Sequence, residues 1–220
     1  MEAVAGLYNS SMNSNRATSR DRLQSRPVQR GGRRSNTLRI VAGTLRGRTL
    51  AFPDAEGLRP TPDRVRETLF NWLGQDLTAQ TCLDLFAGSG ALGFEALSRN
   101  ARRVVFVESQ PAVAAAIRAS AERLRATECG DWALERRDAL EFLRLDRAER
   151  YDVVFLDPPF GAGWLERVLP RLPGRLAPDA LVYVESAALP AFAGWRIVKQ
   201  SRAGAVHFAL LQYDQTTGAP

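Results

Sequence analysis

From Thr81 onward, short apolar runs alternate with stretches whose apolar residues recur at helical spacing. The runs "CLDLFA", "RVVFVES", "WALERRD", "YDVVFLDPPF" and "ALVYVES" have the length and β-branched content of strands. Between them the pattern predicts helices from about Ala91, from Pro111 with Val113, Ile117, Ala121 and Leu124 as its apolar stripe, and after Gly163. Strands separated by helices imply a mostly parallel sheet covered on both faces by right-handed crossovers. Two last strands around "WRIVKQ" and "VHFALLQY", separated by "SRAGA", predict an antiparallel hairpin that ends the sheet. No internal repeat is visible.

A different pattern precedes the sheet. "LRIVAG" and "RTLAF" flank the Gly43–Gly47 turn and predict a small β-hairpin. In "GLRPTPDRVRETLFNWL", Thr61 reads as the N-cap and Pro62 as the first helical residue, with Val65, Leu69, Trp72 and Leu73 on one face. Residues 1–36 are rich in Ser, Asn, Arg and Gln with hardly any large apolar side chain, so they cannot bury enough surface to offset the entropy of ordering. The expected organisation is a disordered basic tail over 1–36, a hairpin and helix over 37–76, and a sheet domain over 77–215.

Charge qualifies this picture. The net charge of +6 on 220 residues invites a nucleic-acid partner. However, seven arginines against Glu2 and Asp21 place +5 in the first 36 residues and leave only +1 elsewhere. Binding of nucleic acid by the body must therefore come from a local cluster. Arg46, Arg48, Arg59, Arg64 and Arg66 crowd into 21 residues and form one, although Arg64 or Arg66 could pair with Asp63 or Glu67 instead.

Several chemistries are excluded. The single histidine, His207, rules out a histidine metal cluster and disfavours a His-dependent triad. Cys82 and Cys129 form no Cys-x-x-Cys pair, and Ser89 lacks a nucleophile elbow because Ala87 stands at the first glycine position. No apolar run approaches the roughly 20 residues that span a bilayer, and the first 30 residues lack the apolar centre of a secretory signal. The expectation is a soluble, cytoplasmic, monomeric protein with no metal and no membrane partner.

The stretch "LDLFAGSGALGFEAL" carries Gly88-x-Gly90-x-x-Gly93, a strand-to-helix turn that lets a ligand approach backbone N–H groups. Glu108 ends the next strand 20 positions after Gly88, where a ribose diol could be held. These features fit NAD and S-adenosylmethionine equally. Asp84 favours the latter, since a carboxylate repels a pyrophosphate and attracts a methionine ammonium, unless it only braces the turn. "DPPF" at the end of a buried strand then points to methylation of a planar exocyclic amine. The Asp157 carboxylate and Pro158 carbonyl can each accept an amine N–H and so favour the pyramidal nitrogen of the transition state. Pro158 and Pro159 hold these acceptors rigid, and Phe160 offers an aromatic face to an unstacked base. A tuned general base is not expected, because the amine becomes acidic once methylated.

In these stretches, together with "RIVAGTLRGRTL", "YVES" and "AGAVHFAL", the chain resembles the RsmD-type bacterial small-subunit ribosomal RNA guanine-N2 methyltransferases from about Leu38 to Tyr213. The resemblance implies a class I S-adenosylmethionine-dependent methyltransferase fold of α/β type, with seven strands and an antiparallel last strand. It implies methylation of the exocyclic N2 of one guanine in 16S ribosomal RNA, on assembled or assembling small subunits. Asp84, Phe86, Ala87, Gly88 and Gly90 would surround the methionine end, Glu108 the ribose, and Asp138 with Ala139 the adenine. Asp138 has an alternative as a helix N-cap. Asp157, Pro158, Pro159 and Phe160 would serve the target base. The segment with Arg46, Arg48, Arg59, Thr61, Arg64 and Arg66 would face RNA. Two features depart from the family: Pro62 replaces a second threonine, and the 36-residue tail has no counterpart in its shorter members. A DNA adenine methyltransferase, an NAD-dependent oxidoreductase and a non-catalytic assembly factor are the alternatives.

Overall fold

The computed structural model describes residues 36–55, 58, 60–159, 161, 163–189 and 191–214. The expected tail lies outside these residues except for Asn36, which instead begins strand β1 (Asn36–Arg39). β1 pairs antiparallel with β2 (Thr49–Phe52), and α1 spans Asp63–Leu73. Then follow β3 (Thr81–Asp84), α2 (Ala91–Ser98), β4 (Arg103–Val107), α3 (Pro111–Leu124), β5 (Asp131–Glu135) and α4 (Ala139–Arg144). The chain continues with β6 (Tyr151–Leu156), α5 (Trp164–Val168), β7 (Leu176–Ser186), β8 (Trp195–Ala203) and β9 (Val206–Tyr213).

The main sheet has seven strands in the order β5-β4-β3-β6-β7-β9-β8. β3 to β7 run parallel, while β9 is antiparallel to both of its neighbours. This is the class I methyltransferase arrangement expected from the sequence. Every residue of β3 is buried, as a central strand covered on both faces requires. One face carries α1, α2, α3 and the hairpin, where Leu50, Leu69, Phe94 and Ile117 pack with Phe106, Phe155 and Tyr183. The other face carries α4 and α5 through Leu140, Phe142 and Val168. Among the described residues, no helix is long and apolar enough to cross a membrane.

All eight residues of α2 are buried, because the sheet covers one side and the N-terminal segment the other. Glu95 in its middle therefore needs partners from within the protein. Its carboxylate accepts the Val41 and Ala42 N–H groups at 2.9 and 3.0 Å, Arg66 at 3.1 Å, and Arg99 through Nε and Nη2 at 3.1 and 2.9 Å. These bonds explain why β1 stops at Arg39 although "IVAG" has strand character: the N–H groups that would continue it turn toward Glu95. The following turn lies directly on the end of α2, with Thr44 N–H donating to the Ser98 carbonyl at 2.7 Å. Gly43 has φ +79°, and a Cβ there would stand 1.8 Å from that carbonyl oxygen, so only glycine fits.

The helix start differs from expectation by one residue. Pro62 is the N-cap, without a side-chain capping bond, and α1 begins at Asp63. Thr61 is left outside the helix, and its hydroxyl points elsewhere.

Replacing Glu95 by Ala removes the buried partner of the Arg66 and Arg99 guanidinium groups, leaves Arg66 ion-paired only with the exposed Asp63, and strands two backbone donors. The expected loss is about 3–5 kcal/mol of folding stability and a fall in Tm of roughly 10 °C, measured by thermal and urea unfolding. A loss below about 1 kcal/mol would contradict this account of the clamp.

Candidate active site

From β3 the chain moves outward through β4 to β5 and then returns to β6 on the other side of β3. A crevice opens at such a reversal, beyond the carboxyl ends of the strands. Here it is a cleft of about 390 Å³. Its floor is the turn after β3, its sides come from the ends of β4 and β6, and Leu58, Pro60 and Thr61 add a wall from the N-terminal segment.

Asp84 lies deepest. Its Oδ2 accepts the Gly93 N–H at 3.0 Å, which fastens α2 to the end of β3. Loss of hydration pushes the Asp84 carboxyl up to about 7; the Gly93 N–H opposes the rise and the nearby Glu108 charge adds to it. Glu108 binds both sides of the cleft: Oε2 accepts Gly88 N–H at 2.9 Å and Oε1 accepts Gln110 N–H at 2.7 Å. Gly88 has φ +52°, the left-handed conformation that turns its N–H toward this carboxylate. Asp138 caps α4, with Oδ1 accepting Leu140 and Glu141 N–H at 2.8 and 3.3 Å, and it also lines the cleft. Trp164, at the start of α5, meets the Phe86 ring edge-on at 5.3 Å and carries the Arg167 guanidinium over its own ring at 4.4 Å.

Asp157, Pro158 and Pro159 close the other end. The Thr61 hydroxyl donates to Asp157 Oδ2 at 3.0 Å. Leu156 of β6 lies opposite Val184 of β7, so Asp157 and Glu185 follow side by side on adjacent strand ends. Burial raises the Asp157 carboxyl well above the usual range, and the Glu185 charge raises it further against the opposing Thr61 hydroxyl. Burial likewise raises Glu185, opposed by the hydroxyls of Tyr183 and Thr61. The donor set is therefore acidic throughout. Arg137, the one arginine lining the cleft among the described residues, is paired with Glu135 at 3.2 Å. This chemistry fits a ligand bearing ammonium and sulfonium charges and does not fit a pyrophosphate.

The family described as Conserved hypothetical protein 95 matches residues 38–212. Ribosomal RNA small subunit methyltransferase D of Escherichia coli (strain K12) is 44% identical over 186 residues, spanning 82% of this chain and 92% of that protein. Its namesake from Haemophilus influenzae is 42% identical over 183 residues, spanning 80% and 93% of the two chains. The chain belongs to the ribosomal RNA small subunit methyltransferase D family. A solved structure, a putative methyltransferase yhhF from Escherichia coli, superimposes with a TM-score of 0.71 at 41% identity, covering 81% of this chain and 99% of that one.

The cleft of this family member brings together Asp84, Phe86, Ala87, Glu108, Asp138, Ala139, Asp157, Pro158 and Pro159, with Gly88 in the turn and Gly90 capping α2 just beside it. Phe160 and Arg59 lie outside the described residues. Two assignments need correction. Arg66 does not face RNA: its side chain is fully buried and bonds Glu95, Asp63 and the Arg39 carbonyl. Thr61 is neither N-cap nor RNA surface; it is 5% exposed and bonded to Asp157. Arg46, Arg48 and Arg64 are exposed. Local sequence pattern alone does not distinguish Glu185 or Trp164 as site residues. The one hint for Glu185 is that "YVES" repeats the strand-end "FVES" that marks Glu108.

The raised Asp84 group makes the folded protein bind a proton more tightly than the unfolded chain does. Its cost to stability is absent below pH 4 and grows as pH rises toward about 7, reaching on the order of 4 kcal/mol. Urea unfolding from pH 4.5 to 8 should show wild type losing stability relative to Asp84→Asn across that window. Parallel curves for the two proteins would contradict the assignment.

Proposed function

We infer that this chain transfers a methyl group from S-adenosylmethionine to 16S ribosomal RNA, at the exocyclic N2 of a guanine in the small ribosomal subunit. The observation that carries the reading is the continuity of the cleft, whose acidic nucleoside-sized floor leads directly to the Asp157-Pro158 acceptors. Family membership supports the RNA substrate.

Bound S-adenosylmethionine supplies a methyl group carried on a positively charged sulfur. Asp84 would attract the amino-acid ammonium, and Glu108 would accept from the ribose hydroxyls on the lone pairs left beside its two backbone bonds. Asp138 would accept the adenine amine on Oδ2, because both of its capping bonds fall on Oδ1. Phe86 and Trp164 exclude water from that side. Asp157 and the Pro158 carbonyl would each accept one N–H of the target amine. The acceptors are out of the base plane's preferred geometry only when the nitrogen is planar, so they favour its pyramidal, attacking form. The Thr61 hydroxyl fixes which Asp157 oxygen remains for this task.

Toward the end of α3 remote from the cleft, the hairpin presents Arg46 and Arg48, and α3 presents Arg118 and Arg123. Arg123 donates to the Thr49 carbonyl at 2.7 Å and Arg48 to the Leu124 carbonyl at 3.2 Å, which joins hairpin and α3 into one basic surface. With 14 residues, α3 extends this surface roughly 20 Å away from the cleft. That reach suits phosphates several nucleotides away from an extruded base.

Labelled methyl transfer to unmodified small subunits, naked ribosomal RNA and duplex DNA, with nucleoside analysis, tests the reading. N2-methylguanine in subunits is expected, falling about 10²–10³-fold in Asp157→Ala. Label in DNA adenine, or none in any substrate, would overturn it. Arg46→Ala and Arg48→Ala should raise KM for subunits with little change in kcat, each lowering the salt dependence of binding by about one phosphate contact. A loss confined to kcat would remove these arginines from the RNA surface.

A further inference from the structure

The sheet ends at β8, whose outer edge pairs with no other described strand. Seven of its nine residues, Arg196 to Arg202, are exposed. From Ser186 to Tyr213 the chain contains no Asp or Glu, while Arg196, Lys199 and Arg202 all fall on this strand. In a body whose charge outside the first 36 residues is only +1, this edge is a local concentration of positive charge. Lys199 and Arg202 take part in no ion pair among the described residues. Arg202 is held by its own turn instead: Nε donates to the Gly204 carbonyl at 2.6 Å, which orients the side chain and leaves the two Nη groups for another acceptor.

Strand register fixes where this edge lies relative to the cleft. Ser201 pairs with Phe208 of β9, and Phe208 pairs with Glu185 of β7, beside Asp157 at the end of β6. Arg202 therefore stands level with the carboxyl ends of the parallel strands, three strand spacings or roughly 14 Å from Asp157. The surface formed by hairpin and α3 lies toward the other edge of the sheet, because α3 joins β4 to β5. Two other occupants of the β8 edge fit less well than a polyanion. An added strand needs a regular row of N–H and C=O groups, and the bulge between Ile197 and Lys199 interrupts that row. A second copy paired antiparallel about Lys199 would set Arg196 against Arg202 and Lys199 against itself. Ile197 and Val198, 41% and 38% exposed, lie between the cations, where they can meet sugar rings while the cations meet phosphates.

We propose that the β8 edge is a second RNA-backbone surface, on which Arg202 and Lys199, followed by Arg196, hold phosphates a few nucleotides from the target guanine. The proposal rests on the methyltransfer reading above and adds the path of the RNA: the strand crosses the cleft between two basic surfaces, so the backbone is held on both sides of the base that enters.

Lys199 is the only lysine in the sequence, so amine acetylation reads this edge at a single side chain. The full chain is acetylated with and without saturating unmodified small subunits, and modification of Lys199 is quantified by peptide mass spectrometry. Subunits should slow it severalfold. In Lys199→Gln and Arg202→Gln, KM for subunits should rise about three- to tenfold with kcat within about twofold, and the salt dependence of binding should fall by about one phosphate contact in each. Both positions are exposed, and an unchanged Tm separates these effects from misfolding. Equal acetylation with and without subunits would overturn the proposal. So would protection of Lys199 with the salt dependence of both variants unchanged, which would assign the edge to a protein partner. If Lys199 is protected and the salt dependence falls but no guanine is methylated, the functional reading fails and the RNA surface stands. If guanine is methylated while Lys199 stays unprotected, the surface fails and the functional reading stands.

Discussion

Glu95 sits within a helix none of whose eight residues reaches solvent, and its charge has to be answered from inside the protein. The answer comes from the N-terminal segment: two backbone N–H groups of the chain leaving β1, and the guanidinium of Arg66 from α1. Arg99, one turn along α2, completes the set. A buried carboxylate of this kind is costly unless every donor is in place, so it admits few positions for the segment that supplies them. Hairpin, α1 and sheet are joined in one hydrophobic cluster, and Leu58, Pro60 and Thr61, between β2 and α1, line the cleft. From this wall the Thr61 hydroxyl reaches Asp157. The segment expected to face RNA therefore also supplies a wall of the cleft.

The cleft uses carboxyl groups in a second way. Asp84, Glu108, Asp157 and Glu185 all stand at carboxyl ends of strands, where the parallel sheet leaves a crevice and where backbone N–H groups of the following turns are available. Glu108 and Asp138 are satisfied by such N–H groups and serve as braces. Asp84 and Asp157 have fewer donors than a buried carboxylate needs, and their proton affinities rise in consequence. A cationic ligand supplies what is missing. The same shortage that weakens the ligand-free protein at neutral pH gives the cleft an electrostatic character suited to a cationic ligand.

Much of this was legible along the chain. The alternation of apolar runs and amphipathic stretches marks all seven strands of the sheet, most strongly β3, β4 and β6, where burial on both faces leaves nearly continuous apolar runs, and the "SRAGA" turn marks the closing hairpin. Glycine spacing and the "DPPF" turn place the cleft. What local pattern could not reveal is where a side chain goes when two readings share one signature. Thr61 before Pro62 has the composition of a helix cap, yet a tertiary partner just past the end of β6 takes its hydroxyl. Arg66 lies in a run of charges like any solvated helix face, and only the burial of Glu95 on a different helix makes it an interior residue. Arginine density in sequence does not distinguish a guanidinium offered to phosphate from one enclosed by a carboxylate.

The central claim is that one continuous cleft holds the cofactor and aims its methyl group at Asp157. A crystal structure with a cofactor analogue carrying a non-transferable amine in place of the methyl tests it most directly. The account predicts the amino-acid ammonium against Asp84, the ribose at Glu108, the adenine by Asp138, and the methyl-equivalent amine turned toward Asp157 and Pro158. An analogue bound with that amine facing away from Asp157, or bound outside the cleft, would contradict it.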